Sequence, residues 1–457
     1  MRGIGSARRR APSAGQMLVS GAIAAALAAG LARAPAQTLA ALLVIAQAAF
    51  AATALWRVVL MVASLKRPPP PPEPSEWPRY TVLAALHDEA AVTPQLIRNL
   101  SRLDYPADRL QVLLVLEAHD LATQAAAAAQ SKPPWMTVHV VPPGTPCTKP
   151  RALNHALTQA TGELVTIYDA EDDPDPGQLR EAAARFVADP RLGCLQAPLR
   201  IRLLERAGHR ADFLDRQFAF EYAGLFEVLL PGMGRLGLPF PLGGTSNHIR
   251  MTALRRAGGW DAFNVTEDAD LGFRLWANGW RLGVIERPTM ETPPGGLDRW
   301  LPQRTRWLKG YMQTWGVHTR APHQLGARGL LSLVMTLGGS ITSAAVHAPT
   351  LAWLTAAAMI GLHAGLGPGA PVGSLAVLAV GVISAWMGCA VGAQRAGLAY
   401  RLKDMISAPA YWSLFSLAFV HAAWRLALEP HVWDKTPHDA AEEPPALETP
   451  ETGREAA

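Results

Sequence analysis

Cysteine is rare in this sequence, with 3 residues in 457. Cys147, Cys194 and Cys389 lie far apart, without the paired spacing of a zinc site or the density of a disulfide-stapled domain. The sequence therefore excludes a disulfide framework, and a reducing compartment fits it. Buried small hydrophobic side chains are the expected role of these residues.

Charged residues are also scarce: they make up 17% of the chain, whereas hydrophobic residues make up 49%. An ordinary soluble domain has roughly 25% charged residues, so the deficit indicates a membrane protein. The long apolar runs lie near the two ends, while residues 68–322 have the mixed composition of a soluble domain. We therefore expect a folded domain between two membrane regions.

Basic residues border the first membrane region. Arg8, Arg9 and Arg10 precede its first apolar run, and Lys66 and Arg67 follow its second. Because cytoplasmic flanks collect Lys and Arg, both ends of this pair are expected in the cytoplasm, together with the middle domain. A cleaved signal peptide is the alternative for the first run and leaves the middle domain on the same side. No aromatic or basic interleaving follows the arginines, which argues against nucleic acid as a partner.

Composition divides the chain into six parts. They are an N-terminal membrane region (1–67) with transmembrane helices near 16–33 and 39–63, a Pro-rich linker (68–76), a central domain (77–302), an interfacial helix (303–320), a C-terminal membrane region (328–428) and a tail (429–457). The C-terminal membrane region is expected to hold two transmembrane helices and a third helix, Ile406–Leu428. The Pro, Tyr, Trp, His and Arg side chains of this third helix predict that it lies along the cytoplasmic surface. Its length leaves a spanning helix as the alternative.

Short apolar runs alternate with helix-like segments at the start of the central domain. The predicted strands are Tyr80–Leu86, Leu110–Leu116, Thr137–Val141 and Leu164–Ala170, and the predicted helices are Thr93–Leu103, Leu121–Gln130 and Arg151–Ala160. This alternation predicts an α/β domain with a mostly parallel sheet covered on both faces. Ligands bind outside the carboxyl ends of the strands in such sheets.

A polar cluster follows each predicted strand. In chain order, these clusters are HDEA with Asp88 and Glu89, EAHD with Glu117 and Asp120, CTKPRALN with Lys149, and DAEDD with Asp169, Glu171 and Asp172. The carboxylates of the last cluster can bind a hard divalent cation, Mg²⁺ or Mn²⁺, together with a substrate diphosphate. Lys149 would add positive charge near the same phosphates.

Two later motifs lie at helices. Thr266 is a good N-cap, and Glu267 and Asp268 after it suit either the helix dipole or catalysis. In QRTRW, residues 303–307, the i, i+3, i+4 spacing places Gln, Arg and Trp on one helix face. Membrane anchoring is the structural alternative for that face.

In this order, the motifs resemble those of the membrane-embedded family 2 glycosyltransferases, the group that includes cellulose, chitin and hyaluronan synthases. The resemblance spans residues 80–315 and the flanking membrane segments. It implies a GT-A fold, a nucleotide-sugar donor, inversion at the anomeric carbon and a polysaccharide product. It also implies a multi-pass protein of the bacterial inner membrane, with a glycan or lipid-linked acceptor and an accessory export subunit as candidate partners.

The resemblance assigns a role to each candidate residue. These assignments are Asp268 as general base; Asp88, Glu89, Glu117, Asp120, Lys149, Asp169 and Glu171 as donor-binding residues; Asp169 with Glu171 or Asp172 as metal ligands; Glu267, Gln303, Arg306 and Trp307 beside the acceptor and diphosphate; and Trp433, Lys435 and Thr436 in a loop that closes over the donor.

The sequence departs from the family pattern in its metal motif. DAE replaces the usual DxD, so Glu171 and Asp172 remain alternatives for the second oxygen ligand. The later segments look closer to a bacterial subgroup than to cellulose synthase itself, which leaves the sugar open. A single-transfer enzyme that glycosylates a lipid is the alternative to a polymer synthase, and an inactive membrane receptor or scaffold is the alternative outside the enzymes.

Overall fold

The computed structural model describes residues 5–9, 11–203, 212–363 and 372–432. Two apolar helices come first: α1 (Ala14–Arg33) and α2 (Pro35–Ala63). A capping box starts α1, in which the Ser13 hydroxyl accepts the Gln16 N–H at 3.2 Å and the Gln16 side chain accepts the Ser13 N–H at 2.8 Å. Pro35 then begins α2 one residue after α1 ends, which suits its fixed φ angle and missing N–H.

A mixed, mostly parallel sheet forms the centre of the molecule. The strands in chain order are β1 (Tyr80–Leu86), β2 (Leu110–Glu117), β3 (Met136–Val141), β4 (Leu164–Tyr168), β5 (Asp173–Pro174), β6 (Leu192–Gln196), β7 (Leu199–Ile201), β8 (Asn247–Arg250), β9 (Arg281–Val284) and β10 (Thr289–Glu291). In the described chain, seven of them form one sheet in the order β3-β2-β1-β4-β8-β6-β9, and β5-β10-β7 form a second sheet. β1 to β4 pair in parallel, whereas β8 runs antiparallel to both β4 and β6. The expected parallel core is thus present, with one reversed strand added beside it.

Helices cover the sheet and continue beyond it. Their bounds are α3 (Thr93–Ser101), α4 (Leu121–Ala128), α5 (Lys149–Ala156), α6 (Gln178–Ala188), α7 (Phe213–Gly224), α8 (Leu230–Arg235), α9 (Met251–Ala257), α10 (Glu267–Ala277), α11 (Leu297–His318), α12 (Gly326–Leu333), α13 (Gly339–His363), α14 (Val372–Arg395) and α15 (Leu402–Leu428). Single 3₁₀ turns lie at Ala107–Arg109 and Pro322–Gln324. One π-helical turn joins α7 to α8, at Leu225–Leu229, and another joins α12 to α13, at Val334–Gly338.

Two apolar clusters occupy the two faces of the sheet. Alternation along β1 sends Val82 and Ala84 to one cluster and Leu83 to the other. β1 is buried over most of its length, as expected of a central parallel strand covered on both faces. The edge strand β3 exposes its middle residues instead.

Among the described residues, five helices are long and apolar enough to cross a membrane. They are Ala14–Arg33, Pro35–Ala63, Gly326–Trp353, Ala376–Arg395 and Leu402–Leu428. They flank the sheet domain on both sides in sequence, as the apolar runs predicted. The assignment of the last helix to the membrane surface remains a prediction.

Candidate active site

The carboxyl ends of the parallel strands open into a cavity of about 2320 Å³. Most of the predicted residues line it, namely Glu89, Glu117, Lys149, Asp169, Glu171, Glu267, Asp268, Gln303, Arg306 and Trp307. Asp88, Asp120 and Asp172 are not part of its wall. The expected gating residues Trp433, Lys435 and Thr436 lie outside the described residues.

Lys149 begins α5 and reaches across to the end of β4. Its ammonium group donates to Asp169 Oδ1 and, at 2.9 Å, to the carbonyl oxygen of Gly244. Burial works to lower the pKa of Lys149, but the negative charges of Asp169 and Glu267 outweigh it and raise that pKa above its ordinary value. Lys149 therefore stays cationic at the end of β4.

Asp172 shapes the turn that follows β4. Its fully buried carboxylate accepts the Asp169 N–H at 2.7 Å and the hydroxyl of Thr245, and its carbonyl oxygen accepts from Asn99 at 3.0 Å. Burial, together with the charges of Asp169 and Glu171, raises the pKa of Asp172 well above the ordinary value. Of the two alternatives for the second oxygen ligand, Glu171 lines the cavity, whereas Asp172 does not.

A further carboxylate, Glu291 at the end of β10, lies near this turn and was not predicted. Burial first, and then the charges of Asp172, Glu171 and Asp169, raises the pKa of Glu291 well above its usual range. Glu291 is a lone acid in a Pro- and Gly-rich stretch, so the sequence pattern does not mark it as a site residue. The pairing of β10 with β5 brings it close to the turn after β4. Such a concentration of carboxylate oxygens fits a hard divalent cation.

Hydrogen bonds fix the loops that follow β1 and β2. Asp120 caps α4 by accepting the Thr123 N–H at 3.1 Å, and it accepts the Asp88 N–H at 2.6 Å. These bonds hold Asp88 in the left-handed region, at φ 53°. The ligand atoms of His87, Asp88 and Asp120 lie within 4.8 Å of one another. Glu117 accepts both of its bonds from Arg151, at 3.0 and 2.7 Å.

Asp268 faces the metal motif across a glycine turn. A Cβ atom added at Gly244 would lie 3.5 Å from Asp268 Oδ2 and 4.0 Å from Asp169 Oδ2. Burial raises the pKa of Asp268 to about 6, and burial with the adjacent Asp268 charge raises the pKa of Glu267 to about 7. Asp268 is therefore ionised at neutral pH but basic enough to accept a proton.

Four residues of the QRTRW motif on α11 line the cavity: Gln303, Arg304, Arg306 and Trp307. Arg304 is the buried one among the motif's two arginines. The Arg304 guanidinium donates to both oxygens of Glu221 at 2.6 Å and lies 4.4 Å from the Trp307 ring centre. Arg304 thus holds Trp307 at the cavity wall by a cation–π contact. The role of Arg304 was not predicted from the motif, because its partner Glu221 lies 83 residues away in sequence.

The loop before α10 is bound by the N-terminal segment. The Ser6 hydroxyl donates to Asp261 Oδ1 at 2.8 Å, and the Ala7 N–H donates to Asp261 Oδ2 at 2.6 Å. Arg8 lies over the ring of Phe263, 5.3 Å from its centre. Residues ahead of α1 therefore contact the central domain directly.

The segment after α15 binds the same loop. His431 Nδ1 and the Phe263 carbonyl oxygen are 2.8 Å apart. Gln313 accepts the Val265 N–H at 3.0 Å and donates to the Pro430 carbonyl oxygen at 2.7 Å. Gln313 thus joins this last described segment to the residues just ahead of the acidic pair.

A mostly parallel α/β sheet with acids at its strand ends, between apolar helices, defines the class of membrane-associated GT-A glycosyltransferases. The chain belongs to Glycosyl transferase family group 2, whose family model matches residues 164–424. The model of Glycosyl transferase family 2 also matches residues 81–244. The resemblance drawn from the motifs is therefore confirmed.

Named relatives include makers of both glycolipid and polymer. The chain is 28% identical over 252 residues to a beta-monoglucosyldiacylglycerol synthase of Synechocystis sp., which covers 52% of this chain and 50% of that protein. It is 24% identical over 258 residues to cellulose synthase 2 of Novacetimonas hansenii, which covers 54% of this chain and 15% of that protein. The chain thus spans at most about half the length of these relatives.

A solved structure confirms the fold. The mannosyltransferase PcManGT of Pyrobaculum calidifontis, in complex with GDP-Man and Mn²⁺, superposes with a TM-score of 0.54 at 20% identity. The match covers 85% of this chain and 98% of that one. The expected GT-A fold with flanking apolar helices is present.

Proposed function

We propose that the protein is an inverting glycosyltransferase that moves a sugar from a nucleotide sugar, most simply a UDP-sugar, to a hydroxyl group of an acceptor at the membrane. The observation that carries the proposal is the meeting of Lys149, Asp169 and Asp268 around Gly244 at one end of the cavity. The cationic side chain of Lys149, for the leaving phosphate, and the carboxylate of Asp268, as base for the acceptor, thereby face the same part of the cavity. Retention of these groups, with QxxRW, argues against an inactive receptor or scaffold.

Asp268, Lys149 and Arg306 have separate roles in the proposed reaction. Asp268 accepts the proton of the acceptor hydroxyl, and the acceptor oxygen bonds to the anomeric carbon on the face opposite the diphosphate. The bond from that carbon to the diphosphate breaks, and its electron pair leaves with the phosphate oxygen. Lys149 and Arg306 stabilise the negative charge that develops there.

Asp169 and Glu171 would hold a divalent cation, Mg²⁺ or Mn²⁺. When bound, the cation supplies Lewis-acid stabilisation of the leaving diphosphate. The oxygen-only donor set fits such an ion, and Glu291, whose pKa is raised first by burial and then by the charges of Asp172, Glu171 and Asp169, adds a further carboxyl group nearby. The Mn²⁺ named with the Pyrobaculum neighbour accords with this assignment.

The cavity favours a lipid acceptor over a polymer. Beyond the acidic residues it continues between α2, α13 and α14, where apolar residues such as Phe50, Trp353 and Leu378 line it. Hydrocarbon chains suit such a wall, whereas a sugar chain would leave its hydroxyl groups without partners. The beta-monoglucosyldiacylglycerol synthase among the relatives accords with this preference.

A growing polysaccharide is the second candidate acceptor. Several aromatic side chains line the cavity and could stack on sugar rings, namely Trp56, Trp307, Tyr311, Trp315 and Trp412. An accessory export subunit belongs to this second candidate. In either case we place the catalytic domain on the cytoplasmic face of a bacterial inner membrane, on the basis of the flanking basic residues.

Product analysis tests the proposal. Membranes containing the protein are incubated with radiolabelled nucleotide sugars, and the label is sorted into lipid extract, polymer and free sugar. Asp268→Asn should lower transfer by about 100- to 10,000-fold, the usual contribution of a general base, while nucleotide binding persists. Asp298→Asn, an exposed acid in the first turn of α11, is the matched control. Near-normal turnover in Asp268→Asn would refute the assignment.

A further inference from the structure

Arg57 is the only charged residue in α2, and it lies in the apolar part of the molecule. It precedes the end of the helix by six residues, or about 9 Å along the axis at 1.5 Å per residue. Its half-buried side chain lines the cavity beside Thr53, Trp56 and Leu60. A charge in such surroundings is costly, so it marks a functional site when no partner in the protein neutralises it.

The acids of this region are already paired with other arginines. Glu221 binds Arg304 through both oxygens at 2.6 Å. Glu227 binds Arg67 and Arg200, each at 2.8 Å. Within the described ranges, none of the ion pairs involves Arg57. This part of the cavity therefore carries net positive charge.

We propose that Arg57 binds the phosphate of an anionic glycerophospholipid whose acyl chains lie between α2, α13 and α14, and that this lipid is the acceptor. The inference rests on the proposed function. A guanidinium forms two parallel hydrogen bonds to phosphate and is less strongly hydrated than an ammonium, so it suits this half-buried position. The position of Arg57 towards the Lys66 end of α2 places it nearer the headgroups than the bilayer centre.

The catalytic residues define the other end of this acceptor. A general base is needed for a hydroxyl group, whereas a phosphate oxygen is already ionised and needs none. The acceptor therefore carries two groups: a phosphate at Arg57 and a free hydroxyl at Asp268. Phosphatidylglycerol has both, with the hydroxyl groups on its headgroup, whereas diacylglycerol has no phosphate.

The test uses the full chain in nanodiscs of phosphatidylcholine that contain either phosphatidylglycerol or diacylglycerol. Transfer is measured with the nucleotide sugar that gives product in the radiolabel panel. Arg57→Gln should raise the KM for phosphatidylglycerol about 10- to 100-fold, the loss expected for a hydrogen bond between charged groups, with little change in kcat. Arg57→Lys should retain part of the affinity. Arg33→Gln, at the exposed end of α1, is the matched control.

A binding measurement separates this inference from the proposed function. Spin-labelled phosphatidylglycerol should bind Asp268→Asn as tightly as the wild type, although that variant transfers no sugar, and should bind Arg57→Gln more weakly. Unchanged nucleotide binding shows that Arg57→Gln is folded. A wild-type KM for phosphatidylglycerol in Arg57→Gln, or equal use of diacylglycerol by the wild type, would overturn the inference.

Discussion

Asp268 lies under the influence of two cationic side chains. Burial raises its pKa to about 6, while the charges of Lys149 and Arg306 hold the pKa below the value that burial alone would give. Because a base must be ionised, kcat/KM should rise with pH through about 6 and level off above it. Arg306→Gln removes one positive charge, so it should move this limb to higher pH.

Initial rates are measured at subsaturating acceptor from pH 4.5 to 8.5, in steps of about half a unit. They give the rising limb of the pH profile for the wild type and for Arg306→Gln. Arg299→Gln, on the same helix but away from the cavity wall, should keep the wild-type limb. A limb that does not move in Arg306→Gln would show that this guanidinium does not act on the base.

Glu171 and Asp172 should behave differently when they are changed. Chelation by EDTA should stop transfer, and Mg²⁺ or Mn²⁺ should restore it, with Asp169→Ala the most damaging change in the motif. Glu171→Gln should raise the metal concentration needed for half-maximal rate, because it removes a charged oxygen ligand. Asp172→Ala should lower the free energy of unfolding by about 1–3 kcal/mol, because it leaves the buried Asp169 N–H without its acceptor and removes the hydrogen bond from the Thr245 hydroxyl.

Metal titrations of the rate and thermal unfolding of each variant distinguish these effects. Asp173→Asn, in the same turn, is the control for loss of negative charge. A metal requirement that rises in Asp172→Ala and stays unchanged in Glu171→Gln would reverse the assignment.

Single residues were predicted best where several acids stand together in the sequence. The DAEDD and TED clusters were recognisable because their composition is unusual after a strand or at a helix start. Glu291 and Arg57 were not recognisable, because each is one charge in an otherwise unremarkable segment. The position of Glu291 depends on strand pairing. The role inferred for Arg57 depends on the pairing of the nearby carboxylates with other arginines, and only the folded chain shows either.

Helix α15 has both of its ends on the side of the catalytic domain. At its start, Asp404 accepts two bonds from Arg216 of α7, at 2.9 and 2.6 Å. After its end, His431 contacts Phe263 of the loop before α10. These contacts support the proposal that α15 lies along the membrane surface, although its length also suits a crossing.

Cysteine labelling decides between these placements. In a Cys147→Ser background, Lys403→Cys and Glu429→Cys should both react with an impermeant thiol reagent added to inside-out vesicles, and neither should react in intact cells. Ala36→Cys, at an exposed position in the first turn of α2, should show the opposite pattern. Opposite labelling of the two α15 positions would establish that the helix crosses the membrane.

At the scale of elements, sequence periodicity predicted the bounds of the four parallel strands to within two residues and the starts of α3 and α4, whereas α5 begins two residues earlier and ends four residues earlier than predicted. β1 spans the predicted range, and β2 differs by one residue at its end. The antiparallel strand β8 was not predicted, because NHIR is short and follows a Gly-rich turn. Its place between β4 and β6 depends on partners that lie more than fifty residues away in sequence.

At the scale of the whole molecule, the N-terminal segment, α11 and the segment after α15 all contact the loop that leads into the acidic pair. Gln313 connects this loop to the segment after α15 through Val265 and Pro430. Gln313→Met keeps the side-chain length but removes both hydrogen bonds, worth about 1 kcal/mol each. We expect kcat to fall about tenfold, because the base loses its fixed position, with little change in donor KM.

Steady-state kinetics at saturating acceptor measure this effect. Gln324→Met, in the 3₁₀ turn beyond α11, is the matched control for the same chemical change. A rise in donor KM with unchanged kcat would contradict a role in positioning the base.

The meeting of the N-terminal segment and the segment after α15 on one loop has a consequence for biosynthesis. Translation completes β1 to β4, and with them the donor side, long before His431 leaves the ribosome. Until α15 has folded against its neighbours, the loop before Asp268 lacks its contact with His431, and Gln313, which accepts from Val265 of that loop, lacks its bond to Pro430. On the proposed function, we therefore expect a nascent chain to complete the donor side of the site first, and to fix the position of Asp268 only after α15 is in place.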